Sequence, residues 1–125
     1  MIRLVADSHM SRHFVKACSR LDAGFPVVLL TDWMGGQYRV AKDPVLLSVL
    51  RESSLILVGF DRRTMAMHAG QLTRAGLGHT GVILFRRRVA QMDYGKQARL
   101  LVDFWREAAH WDWADRIEYL PRLII

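Results

Sequence analysis

Two rhythms of hydrophobic and polar residues alternate along the chain. Short unbroken apolar runs occupy residues 27–30, 55–58 and 82–85, and mainly apolar runs interrupted by Arg3 and Glu118 occupy residues 2–6 and 117–120. Such runs, bounded by turn formers, suit strands buried on both faces of a sheet. Between them lie segments with apolar stripes at helical spacing. Phe14, Val15, Cys18 and Leu21 define a helix over about 12–21, with Ser11 as its N-cap. Leu46, Val49 and Leu50 form the inner stripe of a helix opened by Asp43 at the cap and Pro44 at the first helical position. A third helix is expected over 64–74. Ala98, Leu101, Val102, Trp105, Ala108 and Ala109 give the apolar face of a long helix over about 95–110. Gly24 with Pro26, and Gly76-Leu77-Gly78, punctuate the pattern. Residues 31–42 follow neither rhythm and carry Gly35, Gly36 and an exposed-looking Trp33, so they read as a loop at a strand's C-terminal side.

Strands alternating with helices predict an α/β fold, a parallel sheet covered on both faces with right-handed crossovers. The 125 residues suffice for one domain and one core, and no linker, repeat or low-complexity tract divides them. Apolar residues at 51% and charged residues at 24% exclude the composition of a disordered chain. No apolar run approaches membrane-spanning length, and residues 1–7 lack the features of a cleavable leader. The single cysteine, Cys18, forms no internal disulfide and sits on the inner side of its helix, which fits a reduced, cytoplasmic setting.

Charge changes the picture. Eighteen Lys and Arg against twelve Asp and Glu give a formal charge of +6, which raises nucleic acid as a partner. Within this basic chain Asp7, Asp43 and Asp61 each stand at a strand exit or a helix start. In an open α/β sheet the strand C-terminal ends share one edge, so these carboxylates are expected to converge in one crevice. Such a set suits Mg²⁺ or Mn²⁺, hard cations that take oxygen ligands and leave positions for water and phosphate. Crowded carboxylates repel one another, and a cation relieves the strain. A simpler account competes: Asp43 and Asp61 each suit the cap of the helix that follows. Arg86, Arg87 and Arg88, with Arg62 and Arg63, form the basic cluster that would grip a nucleic-acid backbone, against the alternative of a solvated strand end. His9 and His13 have the i, i+4 spacing of a metal pair, but polar helix surface is the commoner role.

The stretch Ile2-Arg3-Leu4-Val5-Ala6-Asp7 with Ser8-His9-Met10-Ser11, the helix start Asp43-Pro44-Val45-Leu46-Leu47, the strand Leu55-Ile56-Leu57-Val58-Gly59-Phe60-Asp61 and the later Gly81-Val82-Ile83-Leu84-Phe85-Arg86 together resemble the PIN domain superfamily. The likeness is greatest to the small bacterial PIN-like proteins regarded as toxins of toxin–antitoxin pairs, and it spans nearly the whole chain. It implies a single PIN-like three-layer α/β/α domain with a central, mainly parallel sheet of four or five strands. It also implies a metal-dependent ribonuclease in which Asp7, Asp43 and Asp61 hold Mg²⁺ or Mn²⁺, with RNA as substrate and a cognate antitoxin as partner, and it leaves a homodimer open. Two departures stand out: the family often has Thr where Gly59 stands, and a further acid where Arg63 stands. They raise the alternative of a catalytically degenerate domain that binds nucleic acid or protein. A receiver-type phosphoacceptor domain is a third reading, weakened because arginines stand where such domains need a lysine and because Asp43 opens a helix.

Overall fold

The computed structural model describes residues 1–123. Its elements follow in the order β1 (Leu4–Ala6), α1 (Arg12–Leu21), β2 (Val27–Leu29), a short 3₁₀ turn (Trp33–Gly36), α2 (Asp43–Glu52), β3 (Ile56–Phe60), α3 (Arg63–Arg74), β4 (Val82–Phe85), α4 (Tyr94–Ala108) and β5 (Ile117–Leu120). All strand pairs are parallel, in the order β2-β1-β3-β4-β5. Helices cover both faces, which makes a three-layer α/β/α domain.

Strand residues point alternately to opposite faces, and this divides the interior in two. Leu4, Ala6, Ile56, Val58, Phe60, Ile83, Phe85 and Leu120 face α1 and α4, packing against Phe14, Cys18, Leu101, Val102 and Trp105. Val5, Leu57, Val82 and Leu84 face α2 and α3, against Leu46, Leu47, Leu50, Met65 and Ala69. Both sides of the central strands are therefore lined, so their sequences read as unbroken apolar runs.

This placement overturns one expectation. The step from β1 to β2 runs toward one side of the sheet, while the step from β4 to β5 runs toward the other. Yet α1 and α4, which make these two steps, lie on the same face and pack on each other. Two crossovers on one face in opposite directions have opposite hands, so uniformly right-handed connection fails at β4-α4-β5. The apolar stripe of α4 is completed by α1, and residues 86–93, which join β4 to α4, are long enough to cross the sheet's C-terminal edge. That crossing lays Arg87, Val89 and Gln91 beside the end of β3.

Element ends also move. Ile2 is exposed and outside β1, and β3 runs through Gly59 and Phe60, so Asp61 follows the strand directly. Trp33, expected to be exposed, is buried and lies against Tyr38, with ring centroids 5.4 Å apart, so it covers the core. Ser11 caps α1 as expected, accepting the His13 backbone N–H at 3.0 Å. No helix among the described residues is long and apolar enough to cross a membrane.

Candidate active site at the C-terminal edge of the sheet

The strand order reverses at β1, and the crevice of such a sheet opens between the C-terminal ends of β1 and β3. Asp7 ends β1 there, its N–H donating to the Val58 carbonyl at 2.9 Å. Ala6 pairs with Val58, so the next step along both strands sets Asp7 beside Gly59 on the α2/α3 face. A Cβ on Gly59 would stand 2.2 Å from Asp7 Oδ2, so the carboxylate fills the room that the glycine leaves. Its other oxygen, Oδ1, accepts the His9 backbone N–H at 2.9 Å.

Burial pushes the Asp7 carboxyl above its ordinary value. The His9 N–H, His9 and Arg62 pull it down, and the charge of Asp43 raises it again. Asp43 reaches this place because α2 starts at the C-terminal edge. It is the first residue of the helix, with Lys42 at the cap and Pro44 following. Asp43 thus stands one place later than expected, and its side chain does not cap α2; its Oδ2 accepts the Thr64 hydroxyl at 2.9 Å, joining the starts of α2 and α3. The capping account of Asp61 fails similarly, since the cap of α3 is Arg62, without a side-chain cap bond. Two helix N-termini thus point at the crevice, where their partial positive charge favours anions.

Asp61 lies elsewhere in the same edge. With Phe60, Arg62, Arg63, Thr64, Arg87, Val89 and Gln91 it lines an open cleft of about 500 Å³. The structure therefore brings Asp7 and Asp43 within electrostatic reach and sets Asp61 among arginines. Among the described residues, no three His, Cys, Asp or Glu side chains stand close enough to hold one metal ion. The fit to a divalent cation rests on the pair: Mg²⁺ commonly takes one or two carboxylates and completes its shell with water and substrate phosphate.

The five arginines separate. Arg62, Arg63 and Arg87 line the cleft, and Arg88 is exposed next to them in sequence. Arg86 is engaged structurally: its Nε donates to the Pro121 carbonyl at 2.7 Å, and its guanidinium lies 5.2 Å from the Tyr119 ring centroid. His9 and His13 form no pair, because His9 precedes α1 and His13 lies against Tyr94. Cys18 is buried and its thiol is pushed up to about 12, so it is no nucleophile. Thr64 and Gln91 escaped the reading of the sequence. Only the i+3 position of Thr64 after Asp61 hinted at a place near the edge. Comparison with family models, curated proteins and solved structures finds no match for this chain.

Proposed function

We propose that this chain is a metal-dependent endoribonuclease of PIN-like type, acting in the cytoplasm as the toxin of a toxin–antitoxin pair. The observation that carries the reading is the Asp7 carboxylate, partly buried at the β1/β3 crevice, seated over Gly59 with Asp43 nearby and an arginine-lined cleft along the same edge. In this reading Asp7 and Asp43 would hold Mg²⁺ or Mn²⁺ as a pair, while Asp61 stays with the arginines of the neighbouring cleft. A bound ion lowers the pKa of water and polarises a phosphodiester for attack. Arg62, Arg63 and Arg87 hold the RNA backbone by charge-assisted hydrogen bonds to phosphate oxygens, which fixes the strand in place without reading its bases. The cognate antitoxin would act by covering this edge.

A mixed RNA substrate tests the proposal. Wild-type protein should cleave it only with Mn²⁺ or Mg²⁺ present, and Asp7→Asn should lower the rate by on the order of 100-fold or more while the fold persists. Metal-independent cleavage, or an Asp7→Asn protein of full activity, would remove Asp7 from the chemistry. A second reading, a degenerate domain that binds RNA or protein without cutting, is favoured by Arg63, the cation standing where the resemblance implies an acid. RNA binding with no cleavage under any divalent ion would select it.

A further inference from the structure

We propose that Gly59 and Thr64 are positioning residues that set the geometry of the Asp7 and Asp43 carboxylates; this rests on the metal-dependent reading above. Glycine weakens a strand interior, because it packs nothing and loses much conformational freedom, so its presence in the middle of the sheet asks for a cause. Backbone conformation is not the cause, since Gly59 is absent from the residues with positive φ. Space is. A Cβ at this position would lie 2.2 Å from Asp7 Oδ2 and 3.1 Å from its Cγ. Any side chain here turns the carboxylate out of its seat, while the strand itself has room to persist.

Thr64 acts on the other carboxylate. Its hydroxyl donates to Asp43 Oδ2 at 2.9 Å across 21 residues of sequence, from the second residue of α3 to the first of α2. Asp43 is held from one side and by one oxygen. The volume that a side chain at position 59 would fill is given to Asp7, while a hydroxyl reaches Asp43 from α3. Two elements, β3 and α3, thus each set one of the two carboxylates.

Mn²⁺ titration by calorimetry tests this on the wild type, Gly59→Ala, Thr64→Val and Thr64→Ser. Gly59→Ala and Thr64→Val should each weaken Mn²⁺ binding by about 10-fold, the effect expected of residues that orient ligands. Thr64→Ser keeps the hydroxyl and should bind like the wild type. Wild-type affinity in Gly59→Ala or in Thr64→Val overturns the role of that residue. If the wild type binds no Mn²⁺, it is the proposed function that fails. The positioning contacts are then judged by unfolding cycles that pair Gly59→Ala with Asp7→Ala and Thr64→Val with Asp43→Ala. Coupling in both cycles sustains them as contacts, and additive effects in both overturn them.

Discussion

The two edges of the sheet treat their aspartates in opposite ways. At the N-terminal edge, Asp115 accepts the Thr73 hydroxyl at 2.8 Å and the His79 backbone N–H at 3.2 Å. The Thr73 bond foremost holds the Asp115 carboxyl below its ordinary value against the opposing effect of burial, with His79 adding to the lowering. Nearby backbone carbonyls are taken up as well: Arg51 donates to Leu77 at 3.0 Å and Thr80 to Leu55 at 2.7 Å. At the C-terminal edge burial pushes Asp7 the other way, and the charge of Asp43 adds to the rise. One edge holds its aspartate by bonds that favour the charge, although His79 Nε2 beside it is buried without a partner among the described residues. The other keeps a carboxylate whose surroundings oppose its charge, an arrangement that concentrates at functional sites.

The largest effect that would break this contrast concerns polyanion binding. Replacing Arg62, Arg63 and Arg87 together by Gln should weaken RNA binding by about 10-fold or more and make log affinity against log salt shallower by about 2, as three lost phosphate contacts on a single strand imply. Replacing Arg51, Arg74 and Arg116, away from the cleft, should leave both the affinity and the slope near wild type. Fluorescence anisotropy across a salt series measures this. Equal losses from the two triple variants would mean that net charge, and not the cleft, attracts RNA.

Stability should respond with opposite signs at the two edges. Asp115→Ala leaves the Thr73 hydroxyl and the His79 N–H without their acceptor and should cost about 1–3 kcal/mol in urea unfolding. Asp7→Asn keeps an oxygen for the His9 N–H and removes a buried charge beside Asp43, so metal-free protein should melt at a higher temperature than the wild type. A lower melting temperature in Asp7→Asn would show that the Asp7 carboxylate is a stabilising group like Asp115.

The smallest effect is in pH dependence. His79 is 3% exposed, and its Nδ1 accepts the Gly81 N–H at 3.1 Å, which requires a neutral ring; burial lowers its pKa from 6.5, with Asp115 opposing. The unfolded chain therefore takes up this proton first as the pH falls. The contribution of His79 to stability is full above 6.5 and is lost as the pH drops below it. Asp7 has a raised folded value, so its penalty is present above that value and is relieved as the pH falls toward 3.8. Denaturation curves from about pH 7 to 5 should show a shallower acid-side loss in His79→Gln than in the wild type. An unchanged slope would mean that His79 does not govern that window.

Much of the fold was legible because its causes are local. The unbroken runs at 55–58 and 82–85 could be strands only if covered on both sides, and the stripes on α1, α2 and α4 supplied the cover. The Ser11 cap was readable for the same reason, since its bond reaches only two residues along. The candidate site was legible in part. Asp7 followed from its place after a buried strand, whereas Asp43 and Asp61 carried an equally good local explanation as caps, which the helix starts at Asp43 and Arg63 removed.

By itself the sequence determined the order and type of the elements, the two-sided burial of the sheet and the edge at which Asp7 stands, because periodicity and capping act over a few residues. Only the tertiary structure decided which acids meet. Asp43 comes to Asp7 because α2 and α3 share a face, and Thr64 joins them across 21 residues. Arg62 and Arg63 follow Asp61 in the sequence, but Arg87, Val89 and Gln91 join it only because residues 86–93 pass over the sheet edge on the way to α4. Gly59 looked like a lost hydroxyl and proved to be room for a carboxylate, because a contact between neighbouring strands depends on register, which no local pattern in the sequence records.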